Sequence, residues 1–310
     1  MIEKIKKLIE EKQDLNQKDE WGRTLLHEAC FHGNVEASKL LIEHGASVIA
    51  EGNDCETPLH MACASGSLEL VKMLYDCQPH EVFLKAWGNQ ADTTTETHQT
   101  CMGYAATWGH IDVVKFLAEN NFRIDQANDD GETPLFMAAQ NRHKEVVAYL
   151  IDKGANIKAQ TGRGETLLSI AVRQNDKDFA EDLLNKGVDI NQDVFNVGLL
   201  SYRTALSYAV ELGRFDMAHF LIEKGANLDK KDCKSTTALS LAVGKYIDPA
   251  TIQRNEYANL IKHLVEKGAD VMPIRQYYDA IVQTRRRFTP PYVVKKASSL
   301  GQEGALHQRG

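Results

Sequence analysis

The sequence predicts an all-α solenoid of paired antiparallel helices with projecting β-hairpin loops, and three observations carry that prediction. First, a threonine-led tetrad recurs seven times: Thr24-Leu25-Leu26-His27, Thr57-Pro58-Leu59-His60, Thr100-Cys101-Met102-Gly103, Thr133-Pro134-Leu135-Phe136, Thr166-Leu167-Leu168-Ser169, Thr204-Ala205-Leu206-Ser207 and Thr237-Ala238-Leu239-Ser240. Successive threonines lie 33, 43, 33, 33, 38 and 33 residues apart. A fixed step with occasional longer ones marks stacked copies of one supersecondary unit carrying insertions. Second, the tetrad runs into small residues, then into a Leu/Val-rich amphipathic stretch that commonly ends at glycine. Third, the link to the next threonine, such as Gly154 to Glu165, is polar and too short for another element, so it reads as a hairpin turn. Repeats of this kind pack only on their neighbours, so 310 residues need no single large core.

In chain order, Ile2, Ile5, Leu8 and Ile9 share one helical face opposite lysines and glutamates, and residues 1–15 read as a half-repeat cap with a polar outer face. Within a full unit, Thr57 suits the N-cap and Pro58 the first helical position. Ala62 and Cys63 are small enough for a second helix to come close, Gly66 ends the first helix, and Leu68, Leu70, Val71 and Leu74 give the second its apolar face. In other copies the second helix should stop at Gly45, Gly154, Gly187, Gly225 or Gly268, each with positive φ. Seven such units occupy residues 16–272, with insertions at about 76–99, 191–202 and 246–255. The first insertion carries Trp87, and loops so placed in a repeat array are often functional. Past residue 272, Ile274, Tyr277, Tyr278, Ile281 and Val282 suggest a capping helix over 273–288, followed by a basic, flexible tail over 289–310.

The order Thr-Pro-Leu-His, a pair of small residues, Gly, a Val/Leu-rich helix and Gly-Ala-Asp/Asn resembles the ankyrin repeat, from about residue 2 to residue 272. The match is strong at Thr24–Gly45, Thr57–Gly66 and Thr133–Gly154, and weaker where Ser169, Ser207 and Ser240 replace the histidine. The resemblance implies an ankyrin solenoid that binds proteins or peptides in a concave groove, and a structural inter-hairpin hydrogen bond for His27 and His60. It also implies that Asn16 and Asn191, at the hairpin asparagine slot, are candidate hydroxylation sites.

Composition narrows the function classes. The net charge of −7 divides unevenly, because from Pro273 onward seven basic residues stand against Asp279 and Glu303 and leave the preceding body acidic. An acidic body disfavours a duplex nucleic-acid partner, which needs a basic stripe to replace counterions. No apolar run approaches the roughly 20 residues that cross a bilayer, and the start of the chain, Met1-Ile2-Glu3-Lys4, does not read as a secretory signal. The six cysteines show no metal-type spacing, which fits a reducing, cytoplasmic setting and a monomer. Cys30 and Cys63 fall in small-residue slots, whereas Cys55, Cys77, Cys101 and Cys233 lie in or near hairpins, where thiols can be exposed. Gly162-Arg163-Gly164 lacks the lysine and helix of a phosphate loop. No catalytic, cofactor or metal set is expected, and no small-molecule substrate.

Partner contacts are expected at the slots that the repeat leaves variable. Those before each threonine hold Arg23, Glu56, Glu132 and Arg203, and Trp21 lies at a tip. Those at the end of each first helix hold Phe31, His32, Thr107, Trp108, Gln140, Asn141 and Arg173. Trp21, Phe31 and Trp108 are the aromatic anchors of choice, with Arg173 and Arg203 as charge contacts, because rigidly held aromatics and arginines dominate binding energies. In the tail, Thr289 follows Arg286-Arg287-Phe288 and precedes Pro290-Pro291, a pattern of basophilic phosphorylation. A protein-interaction scaffold leads the readings. A substrate-presenting module of an enzyme and a secreted bacterial effector acting on host proteins are the alternatives.

Overall fold

The structure, a computed structural model, describes residues 1–77, 99–196, 201–232, 235–248, 250–272 and 274. Trp87, Thr289, nearly all of the first insertion and nearly all of the segment beyond 272 lie outside the described residues. The chain divides into two compact units, Met1–Arg163 and Gly164–Gly310.

The N-terminal unit holds nine helices among its described residues. They are α1 (Ile2–Glu10), α2 (Leu25–Phe31), α3 (Val35–Glu43), α4 (Pro58–Ser65), α5 (Leu68–Asp76), α6 (Cys101–Trp108), α7 (Ile111–Glu119), α8 (Pro134–Gln140) and α9 (Lys144–Asp152). Helices α2, α4, α6 and α8 lie side by side in that order, and α1, α3, α5, α7 and α9 form a second layer behind them. Leu26, Leu41, Leu70, Leu117, Leu135 and Leu150 meet between the layers and are fully buried. Burying one such side chain is worth about 1.5–3 kcal/mol. Ala29, Ala62, Ala105 and Ala138 recur at the same slot and are also fully buried, which lets the layers close.

The threonines start their helices by capping. Thr100 Oγ1 accepts from Gly103 N at 2.9 Å and Thr133 Oγ1 from Phe136 N at 3.3 Å, each satisfying an orphan helix-start donor. Where the tetrad ends in histidine, the ring closes the cap from the other side: Thr24 N donates to His27 Nδ1 at 3.0 Å and Thr57 N to His60 Nδ1 at 3.2 Å. Between repeats, histidines ahead of the second helices reach back one unit. His110 Nε2 donates to the Ala64 carbonyl and His143 Nε2 to the Thr107 carbonyl, both at 2.9 Å. His110 rests against Gly66, whose φ is +76°, and a Cβ there would stand 2.3 Å from His110 Nδ1.

The links are short hairpins that stack tip on tip. Asp19 N pairs with Arg23 O at 2.9 Å, Gly52 N with Glu56 O at 2.7 Å, and Asn53 N donates to Trp21 O at 2.8 Å across adjacent hairpins. At the feet of the hairpins, one Asn or Asp oxygen accepts a backbone N–H of the next repeat. Asn16 Oδ1 takes Ser47 N at 2.7 Å and Asp125 Oδ1 takes Asn156 N at 2.9 Å.

The C-terminal unit repeats the plan with α10 (Leu167–Gln174), α11 (Lys177–Asn185), α12 (Ala205–Glu211), α13 (Phe215–Glu223), α14 (Ala238–Ile247) and α15 (Arg254–Glu266). Helices α10, α12 and α14 are neighbours in order, and α13 packs on α15 behind them. The 38-residue step carries an antiparallel ladder, β1 (Asp193–Asn196) on β2 (Ser201–Thr204), with Asp193 opposite Thr204. Between α14 and α15 the inter-helix link lengthens to 248–253, and Ile252 there is 97 % exposed. Asn191 Oδ1 accepts from Asn227 N, and Asp229 Oδ1 from Asp270 N, both at 2.7 Å. Asn16 and Asn191 therefore both tie one repeat to the next through their amide oxygens.

Candidate functional site

The N-terminal unit carries the best-formed candidate surface. Trp21 stands at the first hairpin tip with 59 % of its area exposed. Its backbone N–H is held by Asp19 Oδ1 at 3.0 Å, so the tip is fixed while the indole is not covered. Phe31, at the end of α2, is 50 % exposed and meets the exposed His32 ring edge-on at 5.5 Å. Trp108, the last residue of α6, is 57 % exposed. Trp21 and Phe31 line a cleft of about 580 Å³ together with Leu8, Leu25 and Met61 and with polar residues that include Lys4, Asp19, Arg23, His27 and Glu28.

The charged slots behave differently from the aromatic ones. Arg23 Nη2 lies 2.8 Å from Glu56 Oε1, and this hydrogen bond raises the guanidinium above its ordinary pKa. Glu56 is only 7 % exposed, and its backbone carbonyl accepts from His27 Nε2 at 3.1 Å. Glu132 hydrogen-bonds Asn128 within its own hairpin, through Glu132 N to Asn128 Oδ1 at 2.8 Å. Thr107 donates to Gly103 O at 2.8 Å and accepts from Gln99 Nε2 at 2.9 Å. Asn141 is exposed but its amide donates to Met137 O at 2.9 Å, and Gln140 beside it is exposed.

In the C-terminal unit the two arginines expected as charge contacts are paired within the unit, Arg173 half-buried and Arg203 buried. Arg173 Nη1 lies 2.7 Å from Glu165 Oε1. Arg203 is 4 % exposed; its Nη1 is 2.6 Å from Asp232 Oδ2 and its Nη2 3.6 Å from Glu211 Oε2. The expectation of an outward Arg203 is thus corrected. The β1–β2 ladder fixes its strand where Asp232 of the next hairpin meets it. Cys101 is corrected too: it sits in the first turn of α6 and is 3 % exposed. Cys30 is buried as its small-residue slot requires, and burial pushes its thiol up to about 12.

One further set of positions comes from the structure. Four residues after the first four tetrad threonines stand Glu28, Met61, Tyr104 and Met137, of which Glu28 is exposed. Glu28 and Met61 line the cleft. Tyr104 packs edge-on against His60 at 5.5 Å, and burial pushes its phenol up to about 12. No sequence signal marked this slot, which lies outside those that the repeat leaves variable.

Comparison with known families matches the chain to ankyrin repeats over residues 1–86, 81–161, 102–194 and 168–275. The chain belongs to the ankyrin repeat family, whose members generally mediate protein–protein interactions. A comparison with curated proteins finds no match. Among the described residues no helix is long and apolar enough to cross a membrane, and no three His, Cys, Asp or Glu side chains gather as a metal site.

Proposed function

We propose that this chain is a non-enzymatic interaction scaffold that takes a protein or extended peptide on the face of its N-terminal unit carrying Trp21, Phe31 and Trp108. The observation that supports the reading is the contrast within that face. Three large aromatic side chains, each at least half exposed, sit on well-fixed elements, while the neighbouring Arg23 and Glu56 are closed on each other. Charges paired in this way add little pull on a partner, whereas rigid aromatics lose little entropy when they are covered. The cleft that Trp21 and Phe31 line offers Leu8, Leu25 and Met61 as apolar contacts to one inserted side chain. Support for a non-enzymatic role is chemical: Cys30 and Cys63 are buried thiols held above their ordinary pKa by desolvation, the reverse of an activated nucleophile.

The test begins with a pull-down and mass spectrometry to identify a partner, followed by calorimetry with Trp21→Ala and Trp108→Ala. Loss of a central aromatic anchor costs about 2 kcal/mol, or roughly 30-fold in affinity. Unchanged affinity for both variants removes this reading.

A further inference from the structure

In the C-terminal unit two histidines meet in a way that no repeat slot requires. His219 lies midway along α13 and His263 near the end of α15. Their rings meet edge to edge, with centroids 4.7 Å apart and planes 28° from parallel, and the two Nδ1 atoms are 2.5 Å from each other. At that separation neither two bare lone pairs nor two N–H groups can face each other, so one proton lies between the rings. Glu223, four residues after His219, decides which ring supplies it. Its Oε1 is 2.8 Å from His263 Nε2 and can only accept, so His263 carries its proton there and presents a bare Nδ1. His219 is then the Nδ1–H donor. The other Glu223 oxygen accepts from Lys267 Nζ at 2.8 Å.

The surrounding charges are few and mostly engaged. Asp216 stands one turn before His219 on α13, exposed. Lys224 pairs with Glu181 of α11, and Lys262 with Glu266 on α15 itself. On the neighbouring elements, Arg203 of β2 and Lys245 of α14 both pair with Glu211 of α12.

We propose that the His219–His263 pair is an acid-sensitive latch that holds α15 on α13 and lets it go when both rings are protonated. A first added proton goes to the His263 ring, which Glu223 already pairs; His219 shifts its own proton to Nε2, so that its bare Nδ1 accepts and the shared bond stays intact. A second must return to His219 Nδ1, which sets N–H against N–H and cation against cation. Burial and the neighbouring His263 hold His219 below the ordinary imidazole range, with Asp216 and Glu223 offsetting part of the effect. Because the two rings share one proton, binding of one added proton to the pair disfavours binding of the next. Release uncovers Tyr257, which packs against Phe215 at 4.8 Å and donates to Val210 O at 3.1 Å, together with buried Leu260, Ile261 and Leu264.

The experiment is amide hydrogen exchange on the full chain at pH 7.5 and 5.0, corrected for intrinsic rates, comparing wild type with His219→Phe. Phenylalanine keeps a ring on His263 but cannot titrate. Acidification should cost the amides of 257–265 at least tenfold more protection in wild type than in the variant. Equal losses in both overturn the latch. Independently of any variant, 15N spectra of the wild-type imidazoles should show His219 protonated on Nδ1 at neutral pH and a two-step coupled titration. Two single-step titrations, or His219 protonated on Nε2 alone at neutral pH, overturn it as well.

Discussion

His27 commits both ring nitrogens inside the chain: Nδ1 accepts from Thr24 N at 3.0 Å, and Nε2 donates to Glu56 O in the next hairpin at 3.1 Å. Ser169, at the same slot, accepts from Thr166 N at 3.0 Å and returns a bond to Thr166 O at 2.6 Å. A hydroxyl thus keeps the local cap but is too short to bridge repeats. A slot therefore fixes where a side chain starts, not what it reaches, and Arg203 shows the same limit more sharply. Arg23, one position before its threonine, keeps 39 % of its side chain exposed, whereas Arg203 in the equivalent position keeps 5 % and closes on Asp232, which is wholly buried. Removing one partner of a buried pair leaves the other charge uncompensated, at a cost of roughly 3–5 kcal/mol. Arg203→Ala should therefore lower stability by about that amount in urea denaturation, while Lys6→Ala, which breaks an exposed pair with Glu3, should move it by less than about 1 kcal/mol.

Among the elements, the glycines that close the first and the second helix of a repeat differ in what stands against them. Gly45 has φ +89° with nothing within 4 Å of where a Cβ would stand, while Gly66 has φ +76° and His110 against it. Gly45→Ala costs backbone strain alone, on the order of 1 kcal/mol. Gly66→Ala adds a collision with a ring anchored to the Ala64 carbonyl, so it should cost a further 1–3 kcal/mol or so. Thermal melts of the two variants should separate by that margin; equal shifts would mean that the His110 ring yields freely. The helix pairs, their threonine caps and the glycine stops were all legible from the 33-residue ruler, because capping and periodicity are local physics. The exposure of Trp21, Phe31 and Trp108 was legible for the same reason, since they occupy slots that no core contact fills. What the ruler could not show was contact between slots in different repeats. The Arg23–Glu56 and Arg203–Asp232 pairs join residues about 30 positions apart, and the His219–His263 contact joins two outer helices whose spacing a longer link alters. Tyr104 lies outside the slots that the repeat marks as variable, so nothing in the sequence pointed to its contact with His60.

For the molecule as a whole, histidine burial sets the response to acid. Desolvation lowers His27 below its ordinary value and pushes His60 down to about 4, and both belong to the N-terminal unit. In the unfolded chain these rings titrate near ~6.5. Below that value the unfolded chain binds protons that the folded one refuses, so folding stability rises with pH across the window from about 4 to about 6.5. The stability is fully present above the unfolded value and drains away as the pH falls towards the folded one. Denaturant titrations at pH 7 and pH 5 should differ on the order of 1–2 kcal/mol from His60 alone, and His60→Gln should narrow the gap. Carboxylate protonation is a poor rival explanation above pH 5, because ordinary Asp and Glu side chains titrate near ~4. A gap that His60→Gln leaves unchanged would place the acid response elsewhere. Because His27 and His60 lie in the N-terminal unit and His219 and His263 in the C-terminal one, hydrogen exchange resolved by segment can assign each part of the acid response to its own pair of rings.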